Sequence, residues 1–302
     1  MRSQHAQAAS FSLPCAGNDL ERVSKQPIQL IATDIDGTLI DAQHQLPAAN
    51  RYALLRAKAA GLHLALVTGR SMETARMVVT AQWPFTHLVF STGAGVATWP
   101  SLTLLHEVHF NPTTARSILQ LLLAHHLSFT VHAPIPDSHL FLYHQADYLA
   151  NTDFNHRLQT YRQHATPLPH DPATLPWPPS LFLTTIPPSP DLYQQVAQML
   201  MPYGQVTRTT SPIDHRSIWV ELYPKGVSKA SGLLWLTKKL GIPPEGVAVI
   251  GNDYNDLPML KAFPAAFIIA DGHPDLQQHF QQVAPCKLGG LAEAIYRCLG
   301  GR

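Results

Sequence analysis

Short apolar runs bounded by polar clusters recur along the chain, and their spacing predicts most of its elements. The run over 28–33, Ile-Gln-Leu-Ile-Ala-Thr, is apolar and rich in β-branched residues, the pattern of a buried strand. A helix is predicted over 47–60, with Pro47 near its start and Gly61 just past its end. A second strand follows over 62–67, a helix over 71–81 and a third strand over 87–90. Strand, helix, strand, helix, strand predicts a parallel sheet with helices on both faces.

The middle of the chain has a different pattern. Between 96 and 206 short strand-like runs (129–132, 140–143, 181–186) mix with a helical one (115–126), and prolines crowd 167–190. This predicts an inserted α+β domain with a proline-stiffened connection. The first pattern then returns. Strands are predicted over 217–222, 247–250 and 266–270, and helices over 228–240, 257–262 and 291–299. The expected fold class is therefore α/β. A tail occupies 1–26, a Rossmann-like parallel-sheet core is built from 27–95 and 207–302, and the inserted domain spans 96–206.

Composition narrows the function classes. Of the 302 residues 45% are hydrophobic and 14% charged, with a net charge of +1, so no field of one sign points to nucleic acid or an anionic membrane as partner. The three cysteines, Cys15, Cys286 and Cys298, form no CxxC pair, which suits free thiols in a reducing compartment. No apolar run reaches the roughly 18 residues of a membrane-spanning helix, and 1–26 lacks the apolar stretch of a secretory leader. A cytoplasmic protein is expected.

Polar clusters stand at the carboxyl ends of the predicted strands, where open α/β sheets bind ligands. In Asp34-Ile35-Asp36-Gly37-Thr38-Leu39 two carboxylates two residues apart leave an extended strand on the same side. Their mutual repulsion calls for a cation, and Mg²⁺ takes hard oxygen ligands of this kind. One carboxylate can then attack phosphorus to give an aspartyl-phosphate, while the other exchanges a proton with the leaving oxygen and with water. A solvated acidic turn is the plain alternative for such a pair taken alone. Thr68-Gly69-Arg70 follows the second strand, where a hydroxyl and free helix N–H groups can hold a phosphate oxygen; a Thr there also serves as an ordinary helix cap. Arg70 suits either substrate contact or pairing with a core carboxylate.

The first of these segments resembles motif I of the haloacid dehalogenase-like hydrolases, DxDx[TV], whose members are mostly phosphatases and phosphotransferases. The resemblance implies Asp34 as nucleophile and Asp36 as acid/base, with the main-chain carbonyl of Asp36 on Mg²⁺. Thr68 is similar to the motif II residue that holds the phosphoryl group, and the form Thr-Gly-Arg looks like the Cof-type branch. Lys225-Gly226-Val227-Ser228-Lys229 resembles the segment that supplies a lysine near a helix start, with Lys229 the expected residue and Lys225 the alternative. Gly251-Asn252-Asp253-Tyr254-Asn255-Asp256 resembles motif IV, commonly GDxxND, but Asn252 stands where the family has Asp. Asn offers an oxygen without the charge, so the third metal ligand is Asn252 or Asp253, and Asp256 orients the site or meets metal-bound water. The inserted domain matches by position and length a cap that covers the active site.

These residues imply Mg²⁺-dependent hydrolysis of a small phosphorylated metabolite, a phosphomonoester with sugar phosphates among the expected kinds. A phosphomutase and a weakened, non-catalytic sugar-phosphate-binding protein are the alternatives. His125, His126, His132, His139 and His144 lack the spacing of a zinc site and are expected at the surface.

Overall fold

The computed structural model of the chain describes residues 27–146, 151–169 and 175–300. The expected tail over 1–26, with Cys15, lies outside the described residues. The N-terminal part forms β1 (Leu30–Thr33), α1 (Ala48–Ala59), β2 (His63–Val67), α2 (Met72–Val78), β3 (His87–Phe90), β4 (Gly95–Thr98) and β5 (Leu104–Glu107). The middle forms α3 (Pro112–Ala124), β6 (Phe129–His132), β7 (Phe141–His144), α4 (Thr152–Thr160), β8 (Ala165–Pro167), β9 (Leu181–Ile186), α5 (Pro190–Leu200), β10 (Gln205–Thr210) and β11 (Ile218–Tyr223). The C-terminal part forms α6 (Lys229–Leu240), β12 (Val247–Gly251), α7 (Leu257–Ala262), β13 (Ala265–Ile269), α8 (Pro274–Gln277), β14 (Gln281–Val283) and α9 (Gly290–Leu299).

The strands make two sheets. The first runs β14-β13-β12-β1-β2-β3-β4-β5. It is parallel from β14 to β3, and β4 and β5 turn back antiparallel at one edge. β1 sits between β12 and β2, so the chain winds away from it in both directions and leaves a switch point at its carboxyl end. Both faces are covered. Ile31, Leu64 and Leu66 pack with Leu54 of α1 and Leu291 and Ile295 of α9. Leu30, Ala32, Ala65 and Val67 pack with Leu233 and Leu236 of α6 and with Met259 and Leu260 of α7. Burial on both sides explains why these strands read as unbroken apolar runs.

The second sheet runs β10-β11-β9-β6-β7-β8 and is antiparallel except for β7 with β8. One face packs on Ile118 and Leu122 of α3 and Val196 and Leu200 of α5. The other face turns toward the first sheet: Leu181, Leu183, Trp219 and Tyr223 join the same cluster as Ile31 and Ile35.

Two expected boundaries move. β4 and β5 extend the first sheet, so it holds the chain to Glu107 rather than to residue 95. β10 and β11 belong to the second sheet, so the return to the first falls after Tyr223 and not at 207. The reason is burial: all six residues of β11 are buried, because that strand has packing on both faces. Its pattern is that of a parallel core strand, and pattern alone does not say which sheet it joins. His132 is a second correction, since it is buried and not at the surface.

Candidate active site

Asp34 follows β1 directly, and its N–H donates to the Ile250 carbonyl of β12 at 3.0 Å. The chain then turns tightly: Leu39 and Ile40 N–H both donate to the Ile35 carbonyl, and Gly37 N–H to Ile40. Gly37 has φ +73°, and a Cβ there would lie 2.5 Å from Asn252 Nδ2. Only glycine fits this turn, for its conformation and for the close approach of Asn252.

Lys229 opens α6. Ser228 caps the helix by accepting from Ser231 N–H, and Ser231 Oγ returns the bond to Ser228 N–H. Gly93, at φ +97°, lies so close to α6 that a Cβ would meet the Ser228 carbonyl at 2.1 Å. This close approach seats the helix start against the end of β3. Lys229 is fully buried there, and its Nζ donates to Asp34 Oδ1 at 2.7 Å, Asp256 Oδ1 at 2.6 Å and Asn255 Oδ1 at 3.1 Å. Burial alone would lower the lysine pKa, but Asp256 and Asp34 outweigh it and raise it. Burial pushes the Asp34 pKa up to about 7; Lys229 opposes the rise, and the charges of Asp256 and Asp36 add to it.

Asp256 is spent within the protein. Its Oδ1 meets Lys229, and its Oδ2 accepts from Asn252 N–H at 2.8 Å and Asp253 N–H at 3.1 Å. It shapes the loop after β12 and holds the lysine. Asp253 caps the next turn, with Oδ1 accepting from Tyr254 N–H at 2.7 Å. Of the two candidates for a third ligand, Asn252 is the one against the Asp34–Gly37 turn. Among the described residues no group of three His, Cys, Asp or Glu gathers as a metal cluster.

Thr68 is buried, and its Oγ1 accepts from Arg70 N–H at 3.1 Å. Gly69 faces Thr92 and Asn255, each within ordinary contact of a Cβ placed there. Arg70 grips Asp36 with two bonds, Nε to Oδ2 at 2.7 Å and Nη2 to Oδ1 at 2.6 Å. This ion pair is with an exposed carboxylate of the candidate site, the Asp36 side chain being 47% exposed. Lys225 is exposed, so Lys229 is the lysine of the site.

Sequence reasoning missed Asn255, Ser91 and Thr92. Ser91 and Thr92 have φ of 47° and 55°, a left-handed pair rare outside glycine. Ser91 N–H donates to the Arg70 carbonyl and Thr92 N–H to the Thr68 carbonyl, which fastens this loop beneath the site. The Ser-Thr-Gly cluster after the third strand was the available signal.

The fit of Mg²⁺ rests on the donor set. The buried Asp34 carboxylate and the main chain of Asp36 belong to one turn that the Asn252 side chain lies against, and each of the three carries a hard oxygen. One or two carboxylates with substrate phosphate and water are a usual setting for this ion, so these residues fit it.

Among known proteins, the family described as haloacid dehalogenase-like hydrolase matches residues 31–295. A Bacillus subtilis protein named 5-amino-6-(5-phospho-D-ribitylamino)uracil phosphatase is 24% identical over 269 residues, covering 89% of this chain and 94% of that one. A phosphoglycolate phosphatase of Methanothrix thermoacetophila is 34% identical over 79 residues, 25% of this chain and 35% of that protein. The chain likewise spans about half, 47%, of a chloroplastic endoribonuclease YBEY of Arabidopsis thaliana, at 23% identity. Among solved structures, a Bacteroides thetaiotaomicron phosphatase of the haloalkanoate superfamily superposes with a TM-score of 0.74 at 15% identity, over 93% of this chain and 99% of that one. With the family matched over most of its length, the chain belongs to the haloacid dehalogenase-like hydrolases.

Proposed function

We propose that the protein hydrolyses a small phosphomonoester with the help of Mg²⁺. The observation that carries this reading is the buried Lys229 bridging Asp34 and Asp256 at the switch point of the first sheet. One Asp34 oxygen is held by that ammonium, which fixes the carboxylate for attack on phosphorus. The Asp34 O–P bond forms as the ester P–O bond breaks, and Asp36 gives its proton to the leaving oxygen. A water then loses a proton to Asp36 and attacks phosphorus, breaking the Asp34 O–P bond and releasing phosphate.

The phosphoryl oxygens are held by Lys229, by the Thr68 hydroxyl and by N–H groups around Gly69. Arg70 must release its two hydrogen bonds to Asp36, so that Asp36 takes up a proton from solvent before giving it to the leaving oxygen. Asp34, the Asp36 carbonyl and Asn252 would hold Mg²⁺, which when bound offsets charge on the phosphoryl oxygens. The second sheet would act as the cap over the site, excluding bulk water. The phosphatase names of several relatives favour water over a sugar hydroxyl as acceptor.

The test is Asp34→Asn. Phosphate release from a phosphomonoester panel is expected to fall by at least about 1,000-fold, with the circular dichroism spectrum retained. Turnover near the parent rate in a folded variant would sink the mechanism.

A further inference from the structure

The loop after β12 makes a contact with the second sheet that the chemistry above does not use. Asn252, the proposed third ligand, is held by its main chain from two sides. Its N–H donates to Asp256 Oδ2 at 2.8 Å, and its carbonyl accepts from His273 N–H at 2.7 Å. Gly272 permits the second bond, since a Cβ there would lie 2.6 Å from the Asn252 carbonyl oxygen. The loop between β13 and α8 therefore fixes where Asn252 stands.

Tyr254 joins the same two loops through its side chain. Its N–H donates to Asp253 Oδ1 at 2.7 Å, which sets the turn just after Asn252. Its ring lies 4.2 Å from that of His273, and its hydroxyl donates to the Asp275 carboxylate. Movement of the Tyr254 ring would thus disturb both ends of the brace on Asn252.

That ring has a further neighbour, from the second sheet. β10 is an edge strand there, and Arg208 stands in it opposite Val220 of β11. The Arg208 guanidinium carbon lies 5.4 Å from the Tyr254 ring centre and 5.6 Å from that of Tyr193 on α5. Both distances are within the roughly 6 Å over which an aromatic ring attracts a cation. Among the described residues Arg208 makes no ion pair within 4.0 Å, so no carboxylate draws it away from the rings. Tyr193 anchors it within the second sheet's own layer, and Tyr254 lies across the boundary in the metal loop.

We propose that Arg208 is a positioning residue for Mg²⁺, acting through Tyr254 on the loop that carries Asn252. The proposal rests on the phosphatase reading above, which puts the ion at Asn252. A loop already held in its binding arrangement loses less freedom when the ion arrives, so the ion binds more tightly. One part-exposed cation–ring contact sets the size of the effect at about threefold in affinity.

The experiment titrates the full chain with Mg²⁺ alone by calorimetry. It compares the parent with Arg208→Met, Arg208→Lys, Tyr254→Leu and the variant carrying both Arg208→Met and Tyr254→Leu. Met removes the charge and keeps a long stem, whereas Lys keeps the charge. Arg208→Met is expected to weaken Mg²⁺ by about threefold and Arg208→Lys by less than about twofold. With the ring gone in Tyr254→Leu, adding Arg208→Met is expected to cost nothing further. An Arg208→Met chain that binds as tightly as the parent overturns the inference. So does an equal loss with and without the ring, which is what a merely structural arginine gives, or an equal loss with Lys and Met. The comparison of Lys with Met carries the test alone where Tyr254→Leu does not fold. A folded parent that takes up no Mg²⁺ at millimolar concentration overturns the metal part of the phosphatase reading instead.

Discussion

At the scale of single residues, Lys229 decides the most. It is fully buried and touches two carboxylates and one amide, so its charge is matched within the site. Asp256 is bonded to Lys229 and to two main-chain N–H groups, and the proposed third ligand is Asn252. Asn252→Asp adds a charge beside Gly37 and is expected to tighten Mg²⁺ by about tenfold, read by calorimetric titration of the metal alone. Asp253→Asn is expected to have the smaller effect on that titration, because Asp253 caps the turn at Tyr254. A larger effect at 253 would reverse the assignment. Asp34, Asp36 and Lys229 were all legible as residue types at strand and helix ends. The pairing of Arg70 with Asp36 was one of two open roles, because it joins positions 34 residues apart across two loops.

At the scale of elements, the site depends on how α6 docks. Gly93 and Gly232 bring the helix start onto the end of β3; a Cβ on Gly232 would lie 2.8 Å from the Gly93 Cα. Gly93→Ala combines a left-handed φ with a clash against the Ser228 carbonyl. A loss of about 2–3 kcal/mol is expected, measured by urea unfolding. Because Lys229 follows Ser228, kcat should fall as well; full activity at lowered stability would show that the lysine does not depend on this contact. The helix itself was readable from Gly241 and the serine before it. Its seat was not, since the close approach joins Gly93 to a residue more than a hundred positions away.

At the scale of the whole molecule, pH acts through the buried layer between the sheets. His132 faces Arg157 from α4 and His139 from the β6–β7 loop, and burial holds it neutral. Its folded pKa, about 3, lies below the unfolded value near 6.5. The unfolded chain therefore takes up the extra proton between those values, and stability is lost as pH falls through that window. Glu221 works the other way, since its folded pKa of about 7 lies above its ordinary one and its contribution is lost as pH rises between them. Comparison with His132→Gln isolates the histidine. The parent's advantage at pH 7 is expected to shrink by about 1.4 kcal/mol per unit below pH 6.5, measured by urea unfolding between pH 4 and 7. A constant difference would show that His132 is charged or solvated in the fold.

The sequence by itself determined the parallel core, its order of strands and helices, and the polar groups at their carboxyl ends. Apolar periodicity and Gly or Pro punctuation are local, and a strand buried on both faces announces itself in a few residues. Tertiary structure decided which sheet β11 joins, which acids Lys229 holds, and that Arg157 meets His132. Those contacts link residues far apart in the chain, and their energies depend on burial and on the charges brought together, neither of which a local pattern carries.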